Sequence, residues 1–341
     1  MTIASRSTQT RSTLTRLLGA ASLFAASTAL ALGLSASTHA ADALPKELKL
    51  DYAYYSPTSL VLRHFGWLEQ SVGADTKVNW VFSQGSNRSL EYLNGGSIDF
   101  ASTAGLAAVL SRANGSPIKT VYVGSRPEWT ALAVRKDSPI KSLADLKGRK
   151  IAATKGTDPF LFTLRSLATV GLGKNDVELL HLQHPDGRIA LEKGDVDAWA
   201  GLDPLLAASQ IQAGSRLLYQ NVDFNTYNVL SVTEKFAKEH PQAIDKVLQA
   251  YEKARQWARE NPEALAELLA KEANLPIEVA RLQLSRTDFS HAQPGAEHIA
   301  ALKAAAPILV SEELVRRGVN VEQVVDQLIE PSFSQQAIAS K

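Results

Sequence analysis

The most constraining stretch of this chain is Lys150–Asp158, KIAATKGTD, where an apolar run of Ile151, Ala152 and Ala153 breaks into small polar residues. Pro159–Leu172 then reads as a helix. A strand that turns directly into a helix is half of a βα unit, and such units fold by laying helices on a largely parallel sheet. The turn also has a chemistry of its own. Unpaired backbone N–H groups and the positive end of the helix dipole gather at a helix N-terminus, which suits an anion without any catalytic group. Thr154 and Thr157 add hydroxyls, Gly156 permits close backbone approach and Lys155 supplies a mobile charge. Taken alone, the same turn reads first as an ordinary helix start capped by Thr157 or Asp158, and it is the rest of the chain that favours a site.

The rhythm recurs on the N-terminal side. Leu48–Ala53 alternates apolar and polar residues, as a half-buried strand does, and ends at Tyr54-Tyr55-Ser56-Pro57 before a helix over Ser59–Gln70. Strand Val78–Ser83 stops at Gln84-Gly85-Ser86-Asn87 before helix Arg88–Asn94. Strand Ile98–Ser102 breaks at Thr103-Ala104-Gly105 into an Ala/Leu-rich helix, and Ile118–Gly124 is a fourth strand. In such sheets ligands bind beyond the carboxyl ends of the strands. Those ends carry Ser, Thr, Tyr and Gln but no catalytic base, which favours gripping over cutting. Trp129–Val134 is a further extended run ending in Arg135-Lys136-Asp137, and a boundary is expected near 135–140.

On the C-terminal side, Val177–Leu182 leads through Gln183-His184-Pro185-Asp186-Gly187 into helix Arg188–Lys193. Val196–Ala200 leads through Gly201-Leu202-Asp203-Pro204 into helix Leu205–Ala213. Arg216–Gln220 is a strand, and Asn225–Val232 runs extended back towards the first half. From Lys235 the pattern is helical almost to the end, with breaks at Asn261-Pro262 and Leu275-Pro276. Such a chain starts in one lobe, builds a second and returns. Lobe 1 is expected over 44–136 and 229–341 and lobe 2 over 137–228, with crossings near 135–140 and 222–228 forming a hinge beside a cleft.

Residues 1–40 stand apart. Arg6, Arg11 and Arg16 form a basic leader without an acid, Leu17–Leu34 is an apolar run, and small residues follow up to Ala41. That is the three-part pattern of a secretory signal peptide, and it places the mature chain in a bacterial periplasm. The absence of cysteine excludes disulfides, thiolate metal sites, cysteine nucleophiles and a lipid carried on an N-terminal cysteine. Without the leader, 33 basic residues face 35 acidic ones, so nothing attracts nucleic acid. A hydrophobic content of 45% fills two modest cores.

The phrases Leu90–Ser102 (LEYLNGGSIDFAS), Asp137–Thr154 (DSPIKSLADLKGRKIAAT), Gly187–Trp199 (GRIALEKGDVDAW) and Asp203-Pro204 resemble, in order and spacing, the solute-binding proteins of ABC importers. The group is the one that captures aliphatic sulfonates, taurine or nitrate, and the resemblance covers 45–335. It implies an α/β, two-lobed periplasmic binding-protein fold of type II, with two mainly parallel sheets flanked by helices and a ligand closed between the lobes. It also implies delivery to the transmembrane subunits of a permease, and the chain reads as a monomer without cofactor or metal. By the same resemblance, Tyr55, Gln84 and Thr103 match pocket positions of the first lobe, and Gly156 and Thr157 match those of the second. Trp199 and Asp203 match the segment that closes over the organic part of the ligand. The chain departs from that pattern at Ser102–Ala107 (STAGLA), where sulfonate binders often carry an acidic or amide turn. It departs again at Gly201-Leu202, in place of a bulkier pair, which implies a roomier or more apolar tail pocket.

A sulfonate is a permanent anion with three acceptor oxygens, so a closed cleft must offer it several donors. The Gly156-Thr157 amides, the hydroxyls of Ser83, Ser102 and Thr103, and the Gln84 amide meet that demand. Trp129 and Trp199 can wall the alkyl chain or pack in a core, and Asp203 can meet a ligand amine, the other lobe or its own helix start. Nitrate, a thiamine-pyrimidine precursor and an enzyme on the same fold are the alternatives. An enzyme lacks support in the sequence: no His-Glu-x-x-His run, nucleophile elbow or phosphate loop is present, and His64 and His184 fall outside the expected pocket turns.

Overall fold

The computed structural model describes residues 44–290 and 293–339, and the leader assigned to secretion lies outside them. The chain opens with β1 (Glu47–Tyr52), β2 (Lys77–Phe82), β3 (Ala101–Ala104) and β4 (Ile118–Pro127). It continues with β5 (Thr130–Val134), β6 (Lys150–Ala152), β7 (Glu178–Leu180), β8 (Ala198–Leu202) and β9 (Arg216–Tyr219), then β10 (Asn228–Thr233) and β11 (Thr287–Asp288). A helix follows β1, β2 and β3 directly, and again β6, β7 and β8.

Two sheets result. In the first, β2 and β1 pair in parallel, a parallel bridge between Leu50 and Phe100 joins β1 to the β3 side, and β10 lies antiparallel between β3 and β4, with β11 beyond. In the second, the order is β7-β6-β8-β5-β9, with β6 parallel to both neighbours and β5 antiparallel to both of its own. Both sheets are therefore mixed. The strand by which the chain arrives from the other sheet is reversed in each case, β5 on the way out and β10 on the way back, and the short edge strand β11 is reversed as well.

The outward crossing lies earlier than the sequence suggests. β4 ends at Pro127 in the first sheet, and Thr130–Val134 already pairs with β8 and β9 in the second, so the chain crosses at Glu128-Trp129. The charged triplet Arg135-Lys136-Asp137 closes β5 in a turn, with Ser138 N donating to Arg135 O at 3.1 Å. The return lies between Tyr219 and Asn228. Other boundaries shift for local reasons. The helix expected over Ser59–Gln70 breaks at Gly66, whose φ of 63° ends Pro57–Phe65 and starts Trp67–Val72. The stretch after Ala296 divides where Pro307 opens a new helix.

Among the described residues, the three largest buried clusters carry most of the packing. One face of the first sheet (Leu48, Leu50, Phe100, Val121, Leu230) packs on the long helix Pro241–Glu260 through Ile244, Val247, Leu248 and Tyr251. In the second sheet, Ala131, Ala152 and Trp199 pack with Leu206 and with Ala190 and Leu191 of helix His184–Lys193. A third cluster joins both sheets through helices Gly105–Ala113 and Asp158–Ala168. Burying each such aliphatic side chain contributes about 1.5–3 kcal/mol, so these layers hold the strand ends in fixed relation.

Candidate functional site

The carboxyl ends of the first-sheet strands are tied together by Asp51, the fifth residue of β1. Ser83 and Ser89 donate their hydroxyls to Asp51 Oδ2 at 2.7 and 2.6 Å, and Ser102 N donates to Oδ1 at 2.8 Å. Asp51 is fully buried, and that burial pushes its carboxyl up to about 6 against the pull of these hydrogen bonds. Tyr55 extends the network: its hydroxyl donates to Ser102 O at 2.9 Å and lies 3.1 Å from Ser83 Oγ. The period-two pattern of Leu48–Ala53 puts Asp51 on the solvent side with Lys49, so sequence reasoning missed it.

These ends form one wall of a cavity of about 190 Å³. Tyr54, Tyr55, Phe82, Ser83 and Gln84 line it from the first-sheet side, and His184, Leu202, Asp203 and Leu205 face them from the second. Ala273 and Leu275 complete it from the C-terminal helices. Most of the lining is apolar or aromatic, and no lysine or arginine belongs to it among the described residues. A Cβ on Gly201 would stand 2.5 Å from Leu206 Cδ1 and 3.1 Å from Leu206 Cβ, so the turn approaches its helix closely here.

His184, outside the expected pocket, lies in it. It is the first residue of its helix and is buried, with Nδ1 3.1 Å from Thr154 Oγ1. Nε2 has no partner among the described residues, and a Cβ on Gly85 would stand 2.9 Å from it, so the two strand-end turns touch here. Burial pushes the imidazole down to about 3, leaving it neutral. Trp199 contributes indirectly, since its indole Nε1 would lie 2.7 Å from a Cβ on Gly187 and so seats the same helix. It is 1% exposed in the second-sheet core and does not line the cavity.

Asp203 lines the cavity with its charge already matched. Arg286, next to β11 of the first sheet, donates from Nε and Nη2 to the two carboxylate oxygens, both at 2.6 Å, and Ala207 N donates at 3.0 Å. Burial raises the Asp203 pKa and Arg286 opposes the rise. Trp129 occupies the outward crossing. Its Nε1 donates to Asp158 Oδ2 at 3.0 Å and its ring meets Tyr55 edge-on, with centroids 5.8 Å apart. Thr226 on the returning segment also binds Asp158, through N at 2.8 Å and Oγ1 at 2.7 Å, so one carboxylate holds both crossings.

The opening turn is arranged differently from its sequence reading. Thr157 is the N-cap, but its hydroxyl donates to Thr154 O at 2.6 Å. Pro159 removes one N–H from the helix start and Asp158 places a carboxylate there, so less of the dipole is open to an outside anion. Gly156, at φ 80°, and Lys155 line a second, more open groove of about 580 Å³ with Asn87, Ser111 and Asn114. Thr103 borders neither space; its Oγ1 is buried without a partner among the described residues, as are Thr130 Oγ1 and Asn228 Nδ2. Ser102 faces the Asp51 network. The structure thus brings Tyr55, Ser83, Gln84 and Asp203 to one cavity, sets Gly156 on a separate groove, and leaves Ser102, Thr103, Trp129, Thr157 and Trp199 off the cavity wall.

A cavity between two mixed sheets, crossed twice by the chain and holding no free charged pair, is the arrangement of a two-lobed solute-binding protein. The chain belongs to the NMT1/THI5-like family, whose model matches residues 71–265. It is 33% identical over 306 residues to an Escherichia coli (strain K12) protein described as an aliphatic sulfonates-binding protein, covering 88% of this chain and 95% of that one. The alkanesulfonate-binding protein SsuA from Xanthomonas axonopodis pv. citri, solved with MOPS bound, superposes with a TM-score of 0.78 at 26% identity, over 84% of this chain and 99% of that one. The periplasmic aliphatic sulphonate binding protein SsuA from Escherichia coli gives 0.73 at 30% identity, over 85% and 94%. The desulfurization enzyme DSZB shares the fold alone, at 18% identity and a TM-score of 0.64 over 87% and 99%.

Proposed function

We propose that this chain is the periplasmic substrate-binding component of an ABC importer, capturing an aliphatic sulfonate or a similar small organic anion and delivering it to a membrane permease. The similarity to sulfonate-binding proteins over nearly the whole chain carries the reading, and the small apolar cavity at the strand ends supports it. In this reading β1–β4, β10 and β11 with the C-terminal helices form one lobe and β5–β9 the other, and the protein works as a monomer that closes on its ligand. The leader over 1–40 carries it to the periplasm.

The headgroup is held by neutral donors: the Gln84 amide, which lines the cavity, and the main-chain N–H groups at the start of helix Ser86–Asn94, which has no side-chain cap and no acid in its first turn, while the Ser83 and Tyr55 hydroxyl protons are already given to Asp51 and to Ser102 O. The alkyl part lies against Phe82, Leu202, Leu205 and Leu275. Turnover has no support in this cavity. Its carboxylate is held by Arg286, its imidazole stays neutral, and the chain has no cysteine. Calorimetry with ethanesulfonate, taurine, sulfate and nitrate tests the reading. Saturable heat with the organosulfonates and none with nitrate supports it, and heat with nitrate alone refutes it.

A further inference from the structure

The His184 ring is held in one tautomer, and its second nitrogen faces protein. The Thr154 hydroxyl donates its one proton to Leu182 O at 2.7 Å, so the contact with His184 Nδ1 at 3.1 Å is donated by the ring. Nε2 therefore carries a lone pair, and burial keeps the ring neutral. That atom is buried without a partner among the described residues, and a Cβ on Gly85 would stand 2.9 Å from it. The same Cβ would stand 3.1 Å from Asn87 Oδ1, a second buried atom without a partner among the described residues. Both atoms thus border the space that a Gly85 side chain would fill, one from the second sheet's turns and one from the first's.

The rest of the Asn87 side chain also meets the second sheet. Its Nδ2 lies 3.5 Å from Gln183 Oε1, and its Cβ would lie 3.5 Å from a Cβ on Gly156. A carboxamide can present either its oxygen or its NH2 at a given place. With both amides turned over, Asn87 offers an N–H towards His184 Nε2 and an oxygen towards the Gln183 NH2. Two orphaned atoms and one long contact then become two matched donor–acceptor pairs, and a buried acceptor left unmatched is costly. We infer that Asn87 and His184 form a latch between the two strand-end turns: the Asn87 amide donates to His184 Nε2 and keeps the cavity shut over its ligand. This rests on the two-lobed sulfonate reading above and names the residue that sets how long the ligand stays. The Asn87 side chain borders the groove beside Gly156 and does not line the cavity, so the latch acts on every ligand alike. It forms only once the turns meet, so losing it speeds release and leaves the encounter unchanged.

Two measurements on the full mature chain decide the matter. The first compares wild type with Asn87→Leu, which keeps the shape of the side chain and removes its donor. Stopped-flow tryptophan fluorescence with ethanesulfonate and propanesulfonate should show dissociation faster by about fivefold for both probes, the worth of one neutral hydrogen bond. Association should stay within about twofold of wild type. Asn87→Ala makes the same comparison should the leucine variant fail to fold. Unchanged dissociation, or a factor that differs between the two probes, overturns the latch. The second measurement is nitrogen NMR of ¹⁵N-histidine-labelled protein. An unprotonated His184 Nε2 is expected, with a resonance that moves in the Asn87 variant towards that of a free ring nitrogen. A protonated Nε2, or a resonance that the variant leaves in place, also overturns the latch. Binding of neither probe overturns the sulfonate reading itself, and the NMR comparison then decides the latch alone.

Discussion

Leu202→Trp is the sharpest probe of the tail pocket. Leu202 ends β8 opposite Thr130 and is 5% exposed, with its side chain on the cavity wall. At the ~30 Å³ that a water molecule occupies in the liquid, the cavity of about 190 Å³ admits roughly six or seven non-hydrogen atoms. A sulfonate group takes four of these, leaving space for a short chain of two or three carbons. Each methylene moved from water onto Phe82, Leu205 and Leu275 is worth about 0.8 kcal/mol. The wild-type protein should therefore gain about fourfold in affinity per carbon, and about fifteenfold from methanesulfonate to propanesulfonate. An indole carries about six more non-hydrogen atoms than an isobutyl group, comparable with the whole capacity of the space. In Leu202→Trp the chain-length dependence should vanish, while the melting temperature holds because the ring fills an opening instead of displacing a packed core. Calorimetry across the C1–C3 series on both proteins makes the test. A fourfold step per carbon that survives in the variant refutes the placement of the tail, and a flat wild-type series refutes the apolar wall.

Further predictions concern the groups that hold the site. Asp51 is raised from 3.8 to about 6, so its contribution to stability is full below 3.8 and is lost as pH rises through 6. Urea unfolding of wild type and Asp51→Asn at pH 4 and pH 8 should show the difference between them shifting by about 2 kcal/mol in the variant's favour at the higher pH. The opposite trend from His184, whose folded pKa is depressed, is common to both proteins and cancels. A pH-independent difference would argue against a desolvated Asp51. Arg286→Met should cost about 3–5 kcal/mol in urea unfolding by stranding the buried Asp203, and adding Asp203→Asn should recover most of it. A single variant as stable as wild type would show the pair to be open to water. Gly85→Ala sets a Cβ 2.9 Å from His184 Nε2, across the contact between the two turns. Its overpacking cost, about 1–3 kcal/mol, should appear as weaker ligand binding with little change in melting temperature; an equal loss in both would place the strain inside one half of the molecule.

The βα rhythm was legible because its signals are local: apolar runs, Gly and Pro breaks, and small polar residues at strand ends. The same locality brought Tyr55, Ser83 and Gln84 forward as strand-end residues, while Asp203 came from the family resemblance, and all four line the cavity. What stayed hidden depends on partners distant in the chain. Asp158 and Thr226 are 68 residues apart, and Asp203 and Arg286 are 83 apart, so neither pairing leaves a pattern that periodicity can detect. His184 was read within a turn, because Gln183-His184-Pro185 looks like one. The helix instead starts at His184 and carries its ring against Gly85. A proline at the second helical position was the available signal. Trp129 and Trp199 show the limit of residue type as a guide, since the same indole serves a crossing in one case and a core in the other.

The location of the ligand can be read directly. Crystals grown with 3-bromopropane-1-sulfonate should give a bromine anomalous peak among Phe82, Leu202, Leu205 and Leu275. A peak in the groove beside Lys155, Gly156 and Asn114, or none within the described residues of either sheet, would contradict the account.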